Sequence, residues 1–285
     1  MSVTITDFKS AVPIAWCPGC GNFAILNSVK KSLTELNLPP DRVVICTGIG
    51  QAPKLPHYMI VNTFNGLHGR EVATAAGIKM AADDLTVIVH AGEGGAFGEG
   101  GNHFLHAIRR NVNMTVVVHD TLYYALTKGQ ASPTTPAGTV TRIQPEGVMS
   151  WPMNPVALAI SQSCSFVGQG TSARPDLLVG LLKAAISHPG FSFVHIMQTC
   201  PSWDHLRTPQ FYREHTYELE EGYDPKDQEA ALRLAMTPSD QHPLGILYIE
   251  DRPVYNGHKL EEVGHPLRQR KLVPETVLPL FAQFA

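Results

Sequence analysis

The sequence predicts an α/β fold, a parallel sheet with helices on both faces. Three observations predict it. Short β-branched runs alternate with helical stretches from Asn22 to Met197. The strand runs are continuously apolar, the mark of strands buried on both faces. Two glycine-rich stretches directly follow strands, and in such folds ligands bind at the carboxyl ends of the strands.

The elements follow in order. Asn22–Leu36 is read as a helix, because Leu26, Val29, Leu33 and Leu36 fall on one face. Pro39 and Pro40 end it. Arg42–Cys46 is a short buried strand running into the Gly48-Ile49-Gly50 turn. Asn62–Arg70 is a polar stretch leading into an Ala-rich helix, Gly69–Ala82. Leu85–Ala91 is the next strand, followed by a glycine-dense loop, Gly92–Gly101. Asn102–Arg110 is helical and Met114–Asp120 is a third strand. Pro155–Ser163, Cys164–Val167, Pro175–Ile186 and Phe191–Met197 continue the alternation. Beyond about residue 205 the composition turns polar and Pro-rich, with one strand-like run, Leu244–Ile249. That tail is expected to be an extended arm packed on a neighbour.

Composition narrows the function. The 285 residues are 44% hydrophobic and 16% charged, enough for a large core and too apolar for long disorder. Lys+Arg total 22 against 25 Asp+Glu, a net charge of −3 with no basic stripe, so nucleic acid is not an expected partner. No apolar run approaches a membrane span, and Met1–Lys9 lacks a signal-peptide layout, so a cytoplasmic location is expected. Cys17, Cys20, Cys46, Cys164 and Cys200 make an odd set in a long chain, unlike a disulfide scaffold.

Four motifs carry chemistry. Trp16-Cys17-Pro18-Gly19-Cys20-Gly21 opens a helix, and a Cys-x-x-Cys pair can serve one metal or cluster, or form a redox disulfide. Glu93 follows one strand and Thr121 another, so an acidic and a hydroxyl oxygen could hold Mg²⁺ against a diphosphate. His68 and Arg70 sit at a loop-to-helix junction, a natural anion site. Residues 126–136 (LTKGQASPTTP) form a polar loop of the kind that closes over ligands. Read singly, each is also compatible with an ordinary turn, surface loop or packing histidine.

In this order, Trp16–Gly21, Gly48–Gly50, KLPHY at 54–58, LHGR at 67–70, the Gly92-Glu93-Gly94 loop, NHFLHAIRRN at 102–111 and LTKGQASPTTP resemble the thiamine-diphosphate-binding β subunit of 2-oxoacid:ferredoxin oxidoreductases. The resemblance covers about residues 12 to 205. It implies a thiamine-diphosphate-binding fold, with a pyrophosphate-type domain over 1–205 and a C-terminal arm over 206–285 packing on a partner subunit. It implies oxidative decarboxylation of a 2-oxoacid to an acyl-coenzyme A, with electrons passing through an iron–sulfur cluster to ferredoxin. Its cofactors would be thiamine diphosphate, Mg²⁺ and a [4Fe–4S] cluster or a variant of it. Its partners would be a pyrimidine-binding α subunit, ferredoxin, the 2-oxoacid and coenzyme A, in a heterodimer or a dimer of heterodimers. No glutamate of this chain is expected to activate the thiamine ring, since the family takes that residue from the partner.

Residue by residue, the resemblance puts Glu93, Thr121 and the Tyr123 carbonyl on Mg²⁺. Gly48, Gly50, His68, Gly69, Gly92, Gly94 and Thr127 would contact thiamine diphosphate. Lys54 and Lys128 would face the 2-oxoacid carboxylate or coenzyme A, neutralising negative charge. Cys17, Cys20 and Cys200 match three of four cluster ligands. The chain departs from the family at four places, one of them Thr121, where the family usually has Asn. Gln51 stands where the fourth cluster cysteine is expected, and a carboxamide is a poor ligand for a soft site. Glu93 replaces Asp, and Gly95 replaces a second acidic residue. Gln51 keeps two other readings open: a non-redox decarboxylase or ligase of the same fold, or, with the altered Glu93–Gly95 loop, a non-catalytic subunit.

Overall fold

A computed structural model describes residues 2–255 and residue 281. Six parallel strands form the body of the sheet: β1 (Val43–Thr47), β2 (Asn62–Asn65), β3 (Thr86–Gly92), β4 (Met114–Asp120), β7 (Phe166–Thr171) and β8 (Phe191–Met197). A two-stranded hairpin, β5 (Tyr123–Tyr124) and β6 (Gln130–Ala131), stands apart. With β9 (Thr216–Glu218) and β10 (His242–Ile249) the main sheet has eight strands in the order β2-β1-β3-β4-β8-β7-β10-β9. Only β10 meets its neighbour β7 antiparallel.

Alternate residues of the central strands serve opposite cores, as the two-residue side-chain period requires. Val43, Ile45, Ile88, Val117, Val194 and Ile196 face one core, which α1 (Asn22–Glu35) and α5 (Pro175–Ser187) cover. Val44, Cys46, Val87, Val89, Val116 and Val118 face the other. That side carries α2 (Glu71–Ala81), α3 (Gly101–Arg110) and α4 (Pro155–Ser161). The shorter helices α6 (Pro209–Glu214) and α7 (Gln228–Met236) complete the chain order, and α7 adds Ala231 to this second core. The parallel sheet between two helical layers is the architecture the sequence predicts.

Phe104 anchors the second core. It is fully buried and meets Phe97, Phe191 and Phe193 edge-to-face at centroid distances of 5.3, 5.9 and 5.0 Å. Phe104→Ala is expected to cost about 3–5 kcal/mol and lower Tm by roughly 10 °C, read by thermal unfolding.

Four elements differ from the sequence reading, each for a physical reason. Asn62–Asn65 is a strand inside the stretch read as a loop; it is a polar edge strand, exposed at all four residues, so it carries no apolar signal. The glycine-dense loop winds into a π-helical turn, Gly94–Glu99, continuing into α3. The strand read as Cys164–Val167 extends over Phe166–Thr171, because Gly168 and Gly170 do not break it: α5 lies so close that a Cβ at 168 would meet Leu181 at 2.6 Å. Residues 206–255 are not an extended arm. They add β9, β10, α6 and α7 to this chain's own sheet, and the strand-like run Leu244–Ile249 is most of β10. β9 is the edge strand of the sheet, exposed at Tyr217 and Glu218. The expected packing of the tail beyond 255 on a partner lies, residue 281 aside, outside the described residues.

Candidate functional site

The parallel strands deliver their carboxyl ends to one edge of the sheet, and the functional side chains gather there. β1 leads to Gly48–Gly50, β3 to Glu93, β4 to Thr121 and β8 to Cys200. The segment before α1 brings Cys17 and Cys20 to the same edge, tied down where Gly21 N–H donates to the Thr199 carbonyl at 3.1 Å. All of the residues brought to this edge except Gly48 border a cleft of about 940 Å³, counting its open mouth.

An oxygen cluster borders the cleft. Thr121 donates to the Glu93 carboxylate from both its backbone N–H and its hydroxyl, each at 3.3 Å. The same hydroxyl lies 3.0 Å from the Tyr123 carbonyl. Leu122 makes this possible by taking a left-handed φ of 64°, with its N–H held by Asp120 Oδ1 at 3.0 Å. Such strain in a non-glycine residue persists where the surroundings over-determine it, as at functional sites. Glu93 is buried, and burial, followed by the nearby Asp120 carboxylate, pushes its carboxyl up to about 8. A buried carboxylate, a hydroxyl and a carbonyl are hard oxygen donors that suit Mg²⁺, and the cost of charging Glu93 is what a cation would offset. The extra methylene of Glu93 does not take its carboxylate away from Thr121.

Three sulfurs border the same cleft. Cys17 is exposed, Cys20 half-buried and Cys200 buried, and all three border the cleft. Burial pushes Cys20 up to about 11, and the Cys200 and Cys17 thiols beside it add to the rise. Ser202 Oγ donates to Cys17 Sγ at 3.1 Å and Gln198 Nε2 to Cys20 Sγ at 3.8 Å. Cys46 and Cys164 do not join them. Both are fully buried in the core on the opposite face of the sheet from Trp16. Among the described residues no three His, Cys, Asp or Glu side chains form a ready-made metal group.

Gly50, Gly92, Gly94, His68 and Thr127 also border the cleft. Gly94 is demanded by close approach, since a Cβ there would sit 2.1 Å from the Tyr124 ring. Gly69 does not border it but aims His68 into it. Its φ is +73° and a Cβ would meet Glu99 at 2.4 Å, while His68 Nε2 pairs with Glu99 Oε2 at 3.1 Å. Gly48 lies below the cleft, where its carbonyl accepts from Asn65 Nδ2 at 2.7 Å. Lys54 and Lys128 are not brought to the cleft either. Lys54 is half-buried in the short helical turn Ala52–Tyr58, and Lys128 is exposed in a left-handed turn with φ 79°.

The sequence reading passed over several groups. His119, near the end of β4, borders the cleft; burial pushes it down to about 3, so it is neutral. Its Nδ1 contacts Asn22 Oδ1 at 2.8 Å and Gln198 Oε1 at 3.1 Å, which makes Nδ1 the proton-bearing nitrogen, and its Nε2 contacts His90 Nδ1 at 2.8 Å. Glu71, at the start of α2, is buried, and neither carboxylate oxygen has a hydrogen-bond partner among the described residues. Burial pushes its carboxyl up. The available signal was a polar residue where an apolar one is expected: His119 closing an apolar strand, Glu71 opening an Ala-rich helix.

Known proteins match this arrangement. The thiamine pyrophosphate enzyme family's C-terminal TPP-binding domain matches residues 47–196, and the C-terminal family of pyruvate ferredoxin oxidoreductase beta subunits matches residues 200–262. The subunit beta of 2-oxoacid:ferredoxin oxidoreductase 2 from Aeropyrum pernix is 38% identical over 253 residues, covering 85% of this chain and 82% of that protein. The corresponding subunit from Saccharolobus solfataricus is 40% identical over 246 residues, covering 82% and 81%. A solved 2-oxoglutarate:ferredoxin oxidoreductase from Magnetococcus marinus, with 2-oxoglutarate, coenzyme A and succinyl-CoA bound, superposes with a TM-score of 0.90 at 35% identity, over 98% of this chain and 96% of that one. Among the described residues no helix is long and apolar enough to cross a membrane. The chain belongs to the β subunits of the 2-oxoacid:ferredoxin oxidoreductases.

Proposed function

We propose that this chain binds thiamine diphosphate through Mg²⁺ and carries an iron–sulfur cluster, in an enzyme that decarboxylates a 2-oxoacid oxidatively, forms its coenzyme A thioester and reduces ferredoxin. One observation carries the reading: a single cleft at the strand ends is bordered both by the hydrogen-bonded Glu93–Thr121–Tyr123 cluster and by Cys17, Cys20 and Cys200. Bound thiamine diphosphate supplies the carbon chemistry of decarboxylation.

The chain's own residues position and tune. Glu93, Thr121 Oγ1 and the Tyr123 carbonyl would hold the cation, and Gly92 and Gly94 leave room for a diphosphate against the backbone. His68, fixed by Glu99, offers the cleft a polar edge. His119 presents a neutral ring whose only proton is committed to Asn22 and Gln198, so it orients and does not supply a proton. Cys17, Cys20 and Cys200 would hold the cluster within the same cleft, which keeps electron transfer short. The mouth is open in this chain, and a pyrimidine-binding α subunit would cover it, with ferredoxin docking on the assembled enzyme.

Protein co-produced with its α subunit and purified without oxygen tests the reading. Mg²⁺-dependent thiamine diphosphate binding, iron with acid-labile sulfide, and ferredoxin reduction that requires both a 2-oxoacid and coenzyme A are the expected results. Thiamine diphosphate bound without iron would instead point to non-redox carbon chemistry on this fold, the reading that Gln51 favours.

A further inference from the structure

Gln51 borders the same cleft as the three cysteines, and its side-chain oxygen is unexplained. Gln51 Oε1 is buried and has no hydrogen-bond donor among the described residues. A buried acceptor without a partner is unfavourable, so such an atom calls for a partner, and a metal ion is one that fits here. Its position is also fixed. Trp16 Nε1–H donates to the Gln51 backbone carbonyl at 3.0 Å, and Trp16 adjoins Cys17 in the chain. Trp16 is itself clamped edge-to-face between Phe23 and Tyr58 at 5.4 and 4.8 Å. Residue 51 is thereby pinned against the segment that carries Cys17 and Cys20. No other thiol competes, because Cys46 and Cys164 lie in the opposite core.

We propose that Gln51 Oε1 is the fourth protein ligand of the cluster, an oxygen donor to the one iron that no cysteine reaches. This rests on the reading that Cys17, Cys20 and Cys200 hold a cluster. A carboxamide oxygen is neutral and hard, so it binds iron more weakly than a thiolate. The iron it holds is the exchangeable one. Under an oxidant such as ferricyanide, [4Fe–4S]²⁺ gives one electron to the oxidant and releases one Fe²⁺, leaving [3Fe–4S]⁺. Added Fe²⁺ with a reductant reverses the change.

The holoenzyme, co-produced with its α subunit and purified without oxygen, tests this by iron analysis, Mössbauer spectroscopy and electron paramagnetic resonance. Wild type is expected to hold about four irons, one spectroscopically distinct, and to lose that one to ferricyanide with appearance of the three-iron signal. Gln51→Ala should already fall to about three irons as purified. Gln51→Cys should keep about four irons under the same oxidant, because a thiolate now holds the last one. Gln51→Ala indistinguishable from wild type in iron content, oxidant sensitivity and spectrum would overturn the role of Gln51 and leave the cluster reading intact. Absence of iron from both wild type and Gln51→Cys, with thiamine diphosphate still bound, would overturn the two together.

Discussion

Glu93→Ala, in the chain assembled with its α subunit, is expected to lower Mg²⁺-dependent thiamine diphosphate affinity by more than about 100-fold, read by calorimetric titration. Mg²⁺ takes few protein ligands and leans on those that are charged, and Glu93 is the one carboxylate in the set with Thr121 and Tyr123. Its titration adds a pH signature. Burial first, then Asp120, raises Glu93 from an ordinary 4.5 to about 8 in the metal-free chain. Below about pH 8 the site therefore holds a proton that the cation must displace. Apparent Mg²⁺ affinity should rise by up to about tenfold per pH unit towards pH 8, then level off. The sign for folding is the reverse. Between pH 4.5 and about 8 the folded metal-free chain binds a proton that the unfolded chain has lost, so stability falls as pH rises through that window. The loss is on the order of a few kcal/mol, and Glu93→Gln should remove it while also removing cation binding. Equal cofactor affinity in wild type and Glu93→Ala would mean that the cation is held elsewhere.

The strands that shape this site were legible because burial on both faces leaves long β-branched runs: Met114–Asp120 reads as a strand from composition alone, and it is β4. Glu93 and Thr121 were legible for a related reason, since each directly follows such a run where a ligand can approach, whereas Cys200 came only from the resemblance. What sequence could not show is which side of a turn a side chain occupies. Lys54 and Lys128 lie in segments that reach the cleft through Pro53 and Thr127, yet neither borders it. Nor could it show that β2, built from Asn62–Asn65, is a strand, because an exposed edge leaves no hydrophobic pattern. Cys46 illustrates the same limit in reverse. Sequence places it five positions from Gln51; the two-residue period of β1 turns its thiol into the core opposite Trp16.

Removal of one cysteine separates the two halves of the cleft. Cys200→Ala should leave the local fold in place, because the turn after β8 is held by backbone: Asp204 N–H donates to the Cys200 carbonyl at 2.9 Å and Trp203 N–H at 3.3 Å. An alanine also fits a position that is 7% exposed without adding bulk. The oxygen cluster comes from the ends of β3 and β4 and from β5 and makes no hydrogen bond to the cysteines among the described residues, so thiamine diphosphate affinity should stay within about threefold. Iron and sulfide should fall sharply, and ferredoxin reduction should drop by more than about 100-fold, since the remaining sulfurs, Cys17 and Cys20, come from one short segment and cannot enclose a cluster. Cofactor binding and electron transfer would thus fail separately, the behaviour expected of a cleft bordered by two donor sets of different chemistry. Undiminished ferredoxin reduction by Cys200→Ala would place the redox centre away from these cysteines and leave the cleft with carbon chemistry alone.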